Sequence, residues 1–396
     1  MTLTFDVSKP LADYGQVLKE WSVEAIRPHA RQADTDHRPP DNWRQIMASC
    51  PVPIGSPFVR GGEAAPEFEE GYWTTQAAIY ENISYGDIWA NTRLGNGIGH
   101  LVVQAMGTQE QIDRWFTSIV NSPTITAFAL TEPGFGSDTS RVTTTATRDG
   151  DTWVLNGTKI FCTQGSECEY ATVFATVDKS LGGRGINAFV VPAETPGFNV
   201  VKPNEDKLGI TSWSTTELLF ENCAVPLENR LGYDSKDNHV GAVGGQAGAL
   251  SALSTNRPNM SMMAIGVASA SVDIAEGLLR SRRDRFTTAR WELVENDLRR
   301  MRLALDRGRR VCVNAMYLVD QGQTDRMWPA VGKGYPPQTC ERVIRRCMQL
   351  LGPEGVSKDL LLEKWYRDVK IMDIFEGSGQ IQRVIVGRTL MGRVAG

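Results

Sequence analysis

The periodicity of the sequence changes twice along the chain, and these two changes limit the folds that the chain can adopt. Between about residues 124 and 236 the runs alternate and are rich in β-branched residues, as in 141–147. Asp149-Gly150 and Asn156-Gly157 lie between such runs, and Asn-Gly is a strong hairpin signal. Many short strands at this spacing predict a small β sandwich or barrel in the middle of the chain.

Helical periodicity dominates on both sides of this region. Residues 1 to about 123 predict mostly helices, and Thr108-Gln-Glu-Gln111 fits a capping box. After about residue 237, apolar stripes at helical spacing predict a bundle of three or four long helices. The expected fold class is mainly α with a central β domain. The predicted domains are an N-terminal α-helical domain (1–123), a middle β domain (124–236) and a C-terminal helical bundle (237–396). The stripes comprise Ile265, Ala268, Val272, Ala275 and Leu279; Leu298, Met301, Leu305, Cys312, Met316 and Val319; and Cys340, Val343, Cys347 and Leu350.

Charge and residue usage exclude several classes of function. The net charge of −4 and the lack of a dominant basic run argue against nucleic acid as a main partner. The seven cysteines form no Cys-x-x-Cys pair and the four histidines lack ligand-like spacing, so neither a metal site nor a Ser-His-Asp triad is expected. We expect reduced thiols, no targeting segment, no membrane span and a cytoplasmic location.

One carboxylate near the C-terminus stands in a context that suits proton transfer. Glu376 lies between Ile374-Phe375 and Gly377-Ser378-Gly379. Apolar neighbours raise the pKa of a carboxyl group, and glycines let backbone N–H groups approach a ligand. Such a base beside exposed backbone donors suits proton abstraction next to a carbonyl. The alternative is an ordinary helix start, in which Glu complements the dipole and Gly-Ser-Gly is only a turn.

Three blocks in order resemble the acyl-CoA dehydrogenase family. They are Thr131-Glu-Pro-Gly-Phe-Gly-Ser-Asp138, Leu155-Asn-Gly-Thr-Lys159 with Phe161 and Thr163 after it, and Arg367-Asp-Val-Lys-Ile-Met-Asp-Ile-Phe-Glu376-Gly. The resemblance covers nearly the whole chain. It is weakest before about residue 65 and between about 233 and 250. It implies an α domain, a central β domain and a C-terminal four-helix bundle, and it implies FAD as cofactor.

The flavin site that the resemblance implies is built from the middle domain. Thr131 and Thr163 would hydrogen-bond the isoalloxazine edge, Phe161 would pack on its face, and Phe128 and Leu130 would form the adjacent wall. Ser137, beside Gly136, would approach a pyrophosphate or the CoA chain. Taken without the resemblance, these residues are ordinary strand and β-core residues. The resemblance also places Ser378 and Gln380 at the cofactor.

The resemblance makes Glu376 the catalytic base of an α,β-dehydrogenation. The thioester carbonyl would accept hydrogen bonds from the backbone N–H of Glu376 and from the flavin ribityl chain. Glu376 would take the α proton while the β carbon passes hydride to the flavin, giving a trans-2-enoyl-CoA. Some family members place the base at the position of Asn256, and Asn cannot take a proton. Arg257 would buttress the site, contact the CoA or form a salt bridge at a helix start. The substrate contacts that the resemblance implies are Ser137, Leu253, Asn256, Arg257 and Gly377.

The chain departs from the family pattern where a neighbouring subunit would contact the FAD adenine and pyrophosphate. Of Arg-x-x-Phe-Gly only Arg285 is present, and Gln-x-x-Gly-Gly becomes Gln349-Leu-Leu-Gly352-Pro353. Pro353 removes a backbone donor that could have met a phosphate. A mixed oligomer, in which only some sites hold flavin, would account for these changes. Compensation by residues elsewhere would do so as well.

Three functions compete at this point. The first is a flavin-dependent acyl-CoA dehydrogenase, working as a dimer, a tetramer or a hetero-oligomer with a related chain and passing electrons to an electron-transfer flavoprotein. The second is an acyl-CoA oxidase on the same fold, and the third is a flavin-poor structural subunit of a hetero-oligomeric dehydrogenase. The acyl group stays open. So do the roles of the irregular segment 51–66 and of the Gly/Ala-rich segment 241–249.

Overall fold

The computed structural model describes residues 7–54, 65–94, 97–117, 125–233, 244–323 and 326–394. Helices fill the first part of the chain. The predicted capping box is confirmed: Thr108 N donates to Gln111 Oε1 over 3.0 Å, and Gln111 N donates to Thr108 Oγ1 over 3.3 Å. Most of segment 51–66 lies outside the described residues, so its role stays open. The helices are α1 (Lys9–Trp21), α2 (Ala30–Asp36), α3 (Trp43–Ala48), α4 (Tyr72–Gly86), α5 (Ile98–Met106) and α6 (Gln109–Thr117).

The described strands form one seven-stranded sheet in the middle of the chain. Its order is β1-β4-β2-β3-β7-β6, and β5 pairs with β4. Two apolar clusters pack against its two faces, and one of them includes residues of α5 and of the helix that follows the sheet. The strands are β1 (Thr126–Ala129), β2 (Thr145–Asp149), β3 (Thr152–Thr163), β4 (Tyr170–Thr176), β5 (Ile186–Pro192), β6 (Phe198–Lys202) and β7 (Thr215–Pro226).

The two predicted hairpin turns differ in outcome. Asp149-Gly150 joins β2 to β3 in an antiparallel pair, with Gly150 at φ 55°. Asn156-Gly157 makes no turn, because β3 runs straight through it with a register shift between Leu155 and Gly157. A Cβ at Gly157 would come within 2.8 Å of Thr144 atoms, so the glycine permits a close backbone approach at a β-bulge.

The helices that follow the sheet pack around α7. The stripe residues predicted on these helices are buried, except that Val319 and Leu350 are half-buried. Gly266 allows close packing, since a Cβ there would lie 2.2 Å from the carbonyl oxygen of Glu81 in α4. The helices are α7 (Gly245–Arg280), α8 (Thr288–Asp320), α9 (Met327–Gly334), α10 (Pro336–Leu351), α11 (Leu362–Met372) and α12 (Gly379–Val394).

Helix α7 is long and apolar enough to cross a membrane by length and composition alone. It is the one helix in the described ranges that passes this test, and the expectation that no apolar run would approach a membrane span is wrong in that sense. Most of the apolar stretch is buried inside the fold. A core helix of a bundle has these same properties. Of the Gly/Ala-rich segment 241–249, residues 245–249 form its first turns, and 241–243 lie outside the described residues.

Buried ion pairs join the N-terminal helices, the sheet region and α11. Lys364 Nζ lies 2.9 Å from Asp87 Oδ2 and 2.6 Å from Asp368 Oδ2, and all three side chains are at most 2% exposed. Asp368 Oδ1 also accepts a hydrogen bond from the backbone N–H of Ile210, over 2.6 Å. Asp368 of the third sequence block therefore holds α11 at the junction of the three parts of the chain, five residues before Asp373, where the turn that carries Glu376 begins.

Candidate active site

Glu376 lies in the turn between α11 and α12. The turn is closed by a hydrogen bond of 2.9 Å from Gly379 N to the carbonyl oxygen of Asp373. Glu376 has φ 55° and Gly377 has φ 90°, so a left-handed non-glycine residue precedes a glycine. Such a backbone persists only where its surroundings fix it, and it is frequent at functional sites. A Cβ at Gly377 would lie 2.7 Å from Gln382 Nε2, so a side chain there would displace the amide group of Gln382.

Two residues of α7 hold this turn. Asn256 Nδ2 donates to Glu376 Oε1 over 2.9 Å, and Arg257 Nε donates to the carbonyl oxygen of Glu376 over 2.9 Å. Both α7 side chains are buried. The sequence placed Asn256 beside the base only through the resemblance, and the structure brings the two together. Three roles were open for Arg257: support of the site, contact with the CoA, and a salt bridge at a helix start. Its hydrogen bond to the main chain of Glu376 corresponds to the first of them.

The pKa of the Glu376 carboxyl group lies near neutral pH. Burial raises its pKa to about 7, although the charges of Lys333 and Arg257 and the hydrogen bond from Asn256 act in the opposite direction. Glu376 Oε2 has no hydrogen-bond partner within the described residues. One oxygen is thus oriented by Asn256 and the other is left to receive a proton.

Lys333 is the residue of this site that the sequence did not indicate. It lies on α9 with its side chain fully buried, and its Nζ is 5.7 Å from the centroid of the Phe375 ring. Burial lowers its pKa to about 8, against the opposing effects of Glu376 and Asp373. The local sequence Gly332-Lys333-Gly334 does not indicate that the lysine is buried. Its burial results from packing against helices that are distant in the chain.

The proposed flavin-edge residues lie on and beside β3, which pairs with β2 on one side and β7 on the other. The backbone N–H of Ile160 donates to the carbonyl oxygen of Thr131 over 2.9 Å, and Thr163 pairs with Thr215 of β7. A register shift between Lys159 and Cys162 turns Phe161 outward at φ 57°, with 59% of its surface exposed. A bulge that exposes an aromatic face beside two threonines fits a planar ring system such as a flavin.

A buried ion pair joins the first two sequence blocks behind this edge. Lys159 Nζ lies 2.8 Å from Glu132 Oε1 and donates to the carbonyl oxygen of Leu130 over 3.0 Å. Burial alone would raise the pKa of Glu132, but Lys159 and hydrogen bonds from Thr143 and Thr144 lower it to about 2. The pair fixes the strand positions of Thr131 and Phe161 from inside.

A chain of contacts connects the flavin edge with Glu376. Gln164 N donates to the carbonyl oxygen of Ser214 over 2.8 Å. The residue before Ser214, Trp213, faces Phe375 with 6.4 Å between ring centroids. Phe375 directly precedes Glu376. The end of β3 and the α11–α12 turn therefore approach the same region of the molecule.

Of the remaining residues proposed to contact flavin or substrate, some lie in the interior and others at the surface. Phe128, Leu130 and Leu253 belong to one apolar cluster, which joins α7 to the sheet. Gly136 and Ser137 are exposed and lie in a bend. A Cβ added at Gly136 would lie 3.7 Å from Thr131 Cγ2. This bend is therefore adjacent to the flavin edge and open to a ligand.

The adenine-side positions lie elsewhere. Asn256 and Arg280 are 24 residues apart on α7, which corresponds to about 36 Å of helix, and Arg285 follows Arg280. Gln349 and Gly352, at the end of α10, are exposed like Arg285. A hydrogen bond from Arg282 lowers the pKa of Glu354, and the charges of Arg282 and Arg285 lower it further. These residues cluster with one another and not with Glu376.

Ser378 and Gln380 stand at the start of α12, close to Glu376 in sequence. Ser378 Oγ accepts a hydrogen bond from Ile381 N over 3.5 Å, and Gln380 is exposed. In the part of the chain that the structure describes, no group of His, Cys, Asp and Glu could hold a metal ion. The site therefore offers a base, backbone donors and an exposed aromatic face.

Comparisons with known proteins bear on this arrangement. Residues 127–223 match the family model described as "Acyl-CoA dehydrogenase, middle domain", and residues 244–391 match "Acyl-CoA dehydrogenase, C-terminal domain". The mitochondrial short-chain specific acyl-CoA dehydrogenase of Bos taurus is 36% identical over 382 residues, which are 95% of this chain and 89% of that protein.

A second relative and a solved structure agree in family. The caffeyl-CoA reductase-Etf complex subunit CarC of Acetobacterium woodii is 32% identical over 286 residues, or 72% of this chain and 73% of that protein. The structure of butyryl-CoA dehydrogenase from Megasphaera elsdenii superposes with a TM-score of 0.86 and 26% identity, covering 98% of this chain and 100% of that one.

Proposed function

The chain belongs to the acyl-CoA dehydrogenase family of oxidoreductases, and on that premise we propose that it catalyses the FAD-dependent α,β-dehydrogenation of an acyl-CoA thioester to the trans-2-enoyl-CoA. The observation that carries the proposal is the state of Glu376. Its carboxylate is oriented by Asn256, has one unpaired oxygen and has a pKa raised to about 7. A base with these properties can take a proton at neutral pH and hold it.

The α11–α12 turn would act on the thioester through its main chain as well. Among the described residues none accepts a hydrogen bond from the backbone N–H of Glu376. That donor can therefore meet the thioester carbonyl and stabilise the negative charge that develops when the α proton leaves. Arg257 holds the carbonyl oxygen of the same residue, so it fixes the direction of the peptide plane.

Bound flavin supplies the acceptor for the hydride that leaves the β carbon. The residues of this chain would hold it by packing Phe161 against the ring face and by presenting Thr131 and Thr163 to its edge. Arg285 follows the end of α7 that is remote from Asn256, and Gln349 and Gly352 lie at the end of α10 near it. We therefore assign these residues to the flavin of a partner subunit. The functional unit would then be at least a dimer, and a tetramer or a hetero-oligomer with a related chain would meet the same need.

The name of the relative CarC, a subunit of a complex with Etf, supports an electron-transfer flavoprotein as the electron acceptor. The names of the short-chain and butyryl-CoA dehydrogenases make butyryl-CoA the first substrate to test. A place in fatty acid or lipid metabolism and a cytoplasmic location remain predictions. Acyl-CoA oxidase activity and a flavin-poor structural role are the alternatives that the experiment must separate.

The test is a visible spectrum of the purified protein, with flavin counted per chain, followed by anaerobic addition of butyryl-CoA and other acyl-CoAs. We expect flavin on each chain and bleaching by at least one thioester. Glu376→Gln should keep its flavin and bind the thioester. The rate at which the thioester bleaches the flavin should fall by a factor of at least about 10³, within the range for general base catalysis.

Three other results would change the proposal. Bleaching that survives Glu376→Gln would place the base elsewhere. Rapid reoxidation of the bleached protein by O₂, with peroxide formed, would identify an oxidase. A colourless protein that takes up no added FAD would indicate a missing partner chain or a structural subunit.

A further inference from the structure

Lys333 is buried where four helices meet. A Cβ at its neighbour Gly332 would lie 3.4 Å from Pro258 of α7 and 3.8 Å from Ala315 of α8, and one at Gly334 would lie 3.0 Å from Gln382 of α12. Cys312 Sγ of α8 contacts the carbonyl oxygen of Gly332 at 3.4 Å. Close packing on three sides fixes the backbone of α9 at this point, so the direction of the Lys333 side chain is constrained.

The ammonium group of Lys333 differs from those of the other fully buried lysines. Lys159 and Lys364 are also at most 2% exposed, and each lies within 3.0 Å of a carboxylate oxygen. Lys333 makes no such contact in the described ranges, and its Nζ has no hydrogen-bond partner there. A buried charge without a direct partner is costly, and its retention needs a reason other than stability.

The groups that face Lys333 are those of the α11–α12 turn. Three buried acceptors of this region also lack a partner among the described residues: Glu376 Oε2, Asp373 Oδ1 and Gln382 Oε1. The charged groups that interact with Lys333 are Glu376 and Asp373, which favour its charged form, and Arg257, which opposes it. In turn, the charge of Lys333 favours the ionised form of Glu376.

We propose that Lys333 is a positioning residue for the proposed base: its buried ammonium group keeps Glu376 ionised and directed towards the substrate, and it supplies the positive charge that is left when Glu376 takes the α proton. This inference rests on the proposed function of Glu376. It gives a role to a side chain that touches neither substrate nor flavin and that acts through Glu376.

The charge balance of the pocket changes during the reaction. Before proton transfer, Lys333 and Arg257 carry two positive charges, and Glu376 and Asp373 carry two negative charges. When the α proton moves to Glu376, its carboxylate becomes neutral and the four groups carry a net charge of +1. The negative charge that develops on the thioester oxygen is then attracted to an unbalanced cation inside a low-dielectric pocket.

The first experiment measures the pH dependence of anaerobic flavin reduction in Lys333→Met and Lys333→Arg. Methionine removes the charge and keeps the length. We expect its acid limb to move up by about one pH unit, which lowers the rate at pH 7 about fivefold and restores it near pH 9. Arginine should keep the wild-type profile. Lys370→Met on α11, which removes an exposed lysine paired with Glu341, is the control and should show no shift.

The second experiment needs no catalysis. The folded pKa of Glu376 lies above its ordinary value of 4.5, so the contribution of Glu376 to thermal stability should fall as the pH rises from about 4.5 to about 7. In Lys333→Met this fall should extend to higher pH, and Glu376→Gln should abolish it in both backgrounds. The flavin content of each variant, counted from its spectrum, shows whether it folds.

The two experiments separate the possible failures. Superimposable pH profiles and stability curves for Lys333→Met and wild type would overturn the role of Lys333, while leaving Glu376 as the base. A stability coupling between Lys333 and Glu376, with bleaching that survives Glu376→Gln, would instead overturn the proposed function. If Lys333→Met loses its flavin, Lys333→Gln is measured in its place, and a wild-type profile there contradicts the proposal equally.

Discussion

At the scale of the residue, the protonation of Glu376 depends on the neighbour that α7 presents to it. Asn256 donates one hydrogen bond to the carboxylate over 2.9 Å and adds no charge. A carboxylate at this position would compete for the same proton, because two like charges at hydrogen-bond distance cannot both ionise easily. The amide at 256 therefore suits the proposed role of Glu376 as the single base.

Asn256→Asp should raise the pKa of the Glu376 pair by about two units, because the two carboxyl groups would share one proton. Flavin reduction at pH 7 should then fall on the order of 100-fold and rise about tenfold per pH unit towards pH 9. Stopped-flow absorbance of the flavin measures both effects. Asn256→Leu, which removes the donor without adding charge, should shift the profile less; equal profiles for the two variants would contradict the explanation.

The residues of the site were visible in the sequence to very different degrees. The context of Glu376, between an apolar pair and glycines, suggested a base but fitted an ordinary helix start as well, and the family resemblance decided between them. Asn256 and Arg257 could be placed only through the family resemblance, since 120 residues separate them from the turn that they hold. Lys333 could not be found, because nothing in a sequence records that a lysine is buried by helices that are distant in the chain.

At the scale of the element, β3 performs two tasks with one strand. Its outer side exposes Phe161 at a bulge, and its inner side carries Lys159, which pairs with Glu132. The hydrogen bond from Lys159 to the carbonyl oxygen of Leu130 ties the strand to the residue before Thr131. The backbone around the proposed flavin-edge residues therefore depends on an ion pair on the inner side of β3.

Glu132→Gln should weaken flavin retention, because it leaves the charge of Lys159 buried without its counter-charge. Breaking a buried pair from one side costs about 3–5 kcal/mol, so we expect a lower thermal midpoint and less flavin per chain after gel filtration. Glu205→Gln, in the ion pair with the half-exposed Lys202 at β6, is the matched control and should change neither. Equal flavin content in the two variants would show that the pair has no role at the edge.

The strands also show where turn chemistry misleads. Asp149-Gly150 and Asn156-Gly157 have similar local signals, yet only the first makes a turn. At Gly157 the same lack of a side chain serves a close contact with Thr144 in a neighbouring segment. The glycine at each of these two positions indicates only that an unusual backbone conformation is allowed. Tertiary packing determines whether the chain reverses direction at that position.

At the scale of the whole molecule, the order of helices, sheet and helical bundle was predicted from periodicity and is confirmed by the fold. The assembly was not predictable in the same way. The distance along α7 between the Glu376 site and Arg285 follows from a 36-residue helix, whose start lies in a segment where the family resemblance is weakest. How the three parts meet also depends on buried charges, which composition does not reveal.

The junction of Lys364 with Asp87 and Asp368 provides the test at this scale. Lys364→Met leaves the buried carboxylates of Asp87 and Asp368 without their cation, so it should cost about 3–5 kcal/mol and lower the thermal midpoint. Asp87→Asn should cost less, because Lys364 keeps its pair with Asp368. The double variant should cost less than the sum of the two, since it removes both charges of one pair. Because Lys364 and Asp368 lie on α11, both single variants should also slow flavin reduction by butyryl-CoA.

A pair with the same helical spacing supplies the control. Lys9 and Asp13 on α1 are also four residues apart, but their side chains are 83% and 64% exposed, so water and salt screen their charges. Lys9→Met should leave both the midpoint and the flavin reduction rate unchanged. If Lys364→Met behaves like Lys9→Met, then the hydrophobic contacts of α11 alone hold the three parts together, and the geometry of the Glu376 turn does not depend on the buried ion pairs.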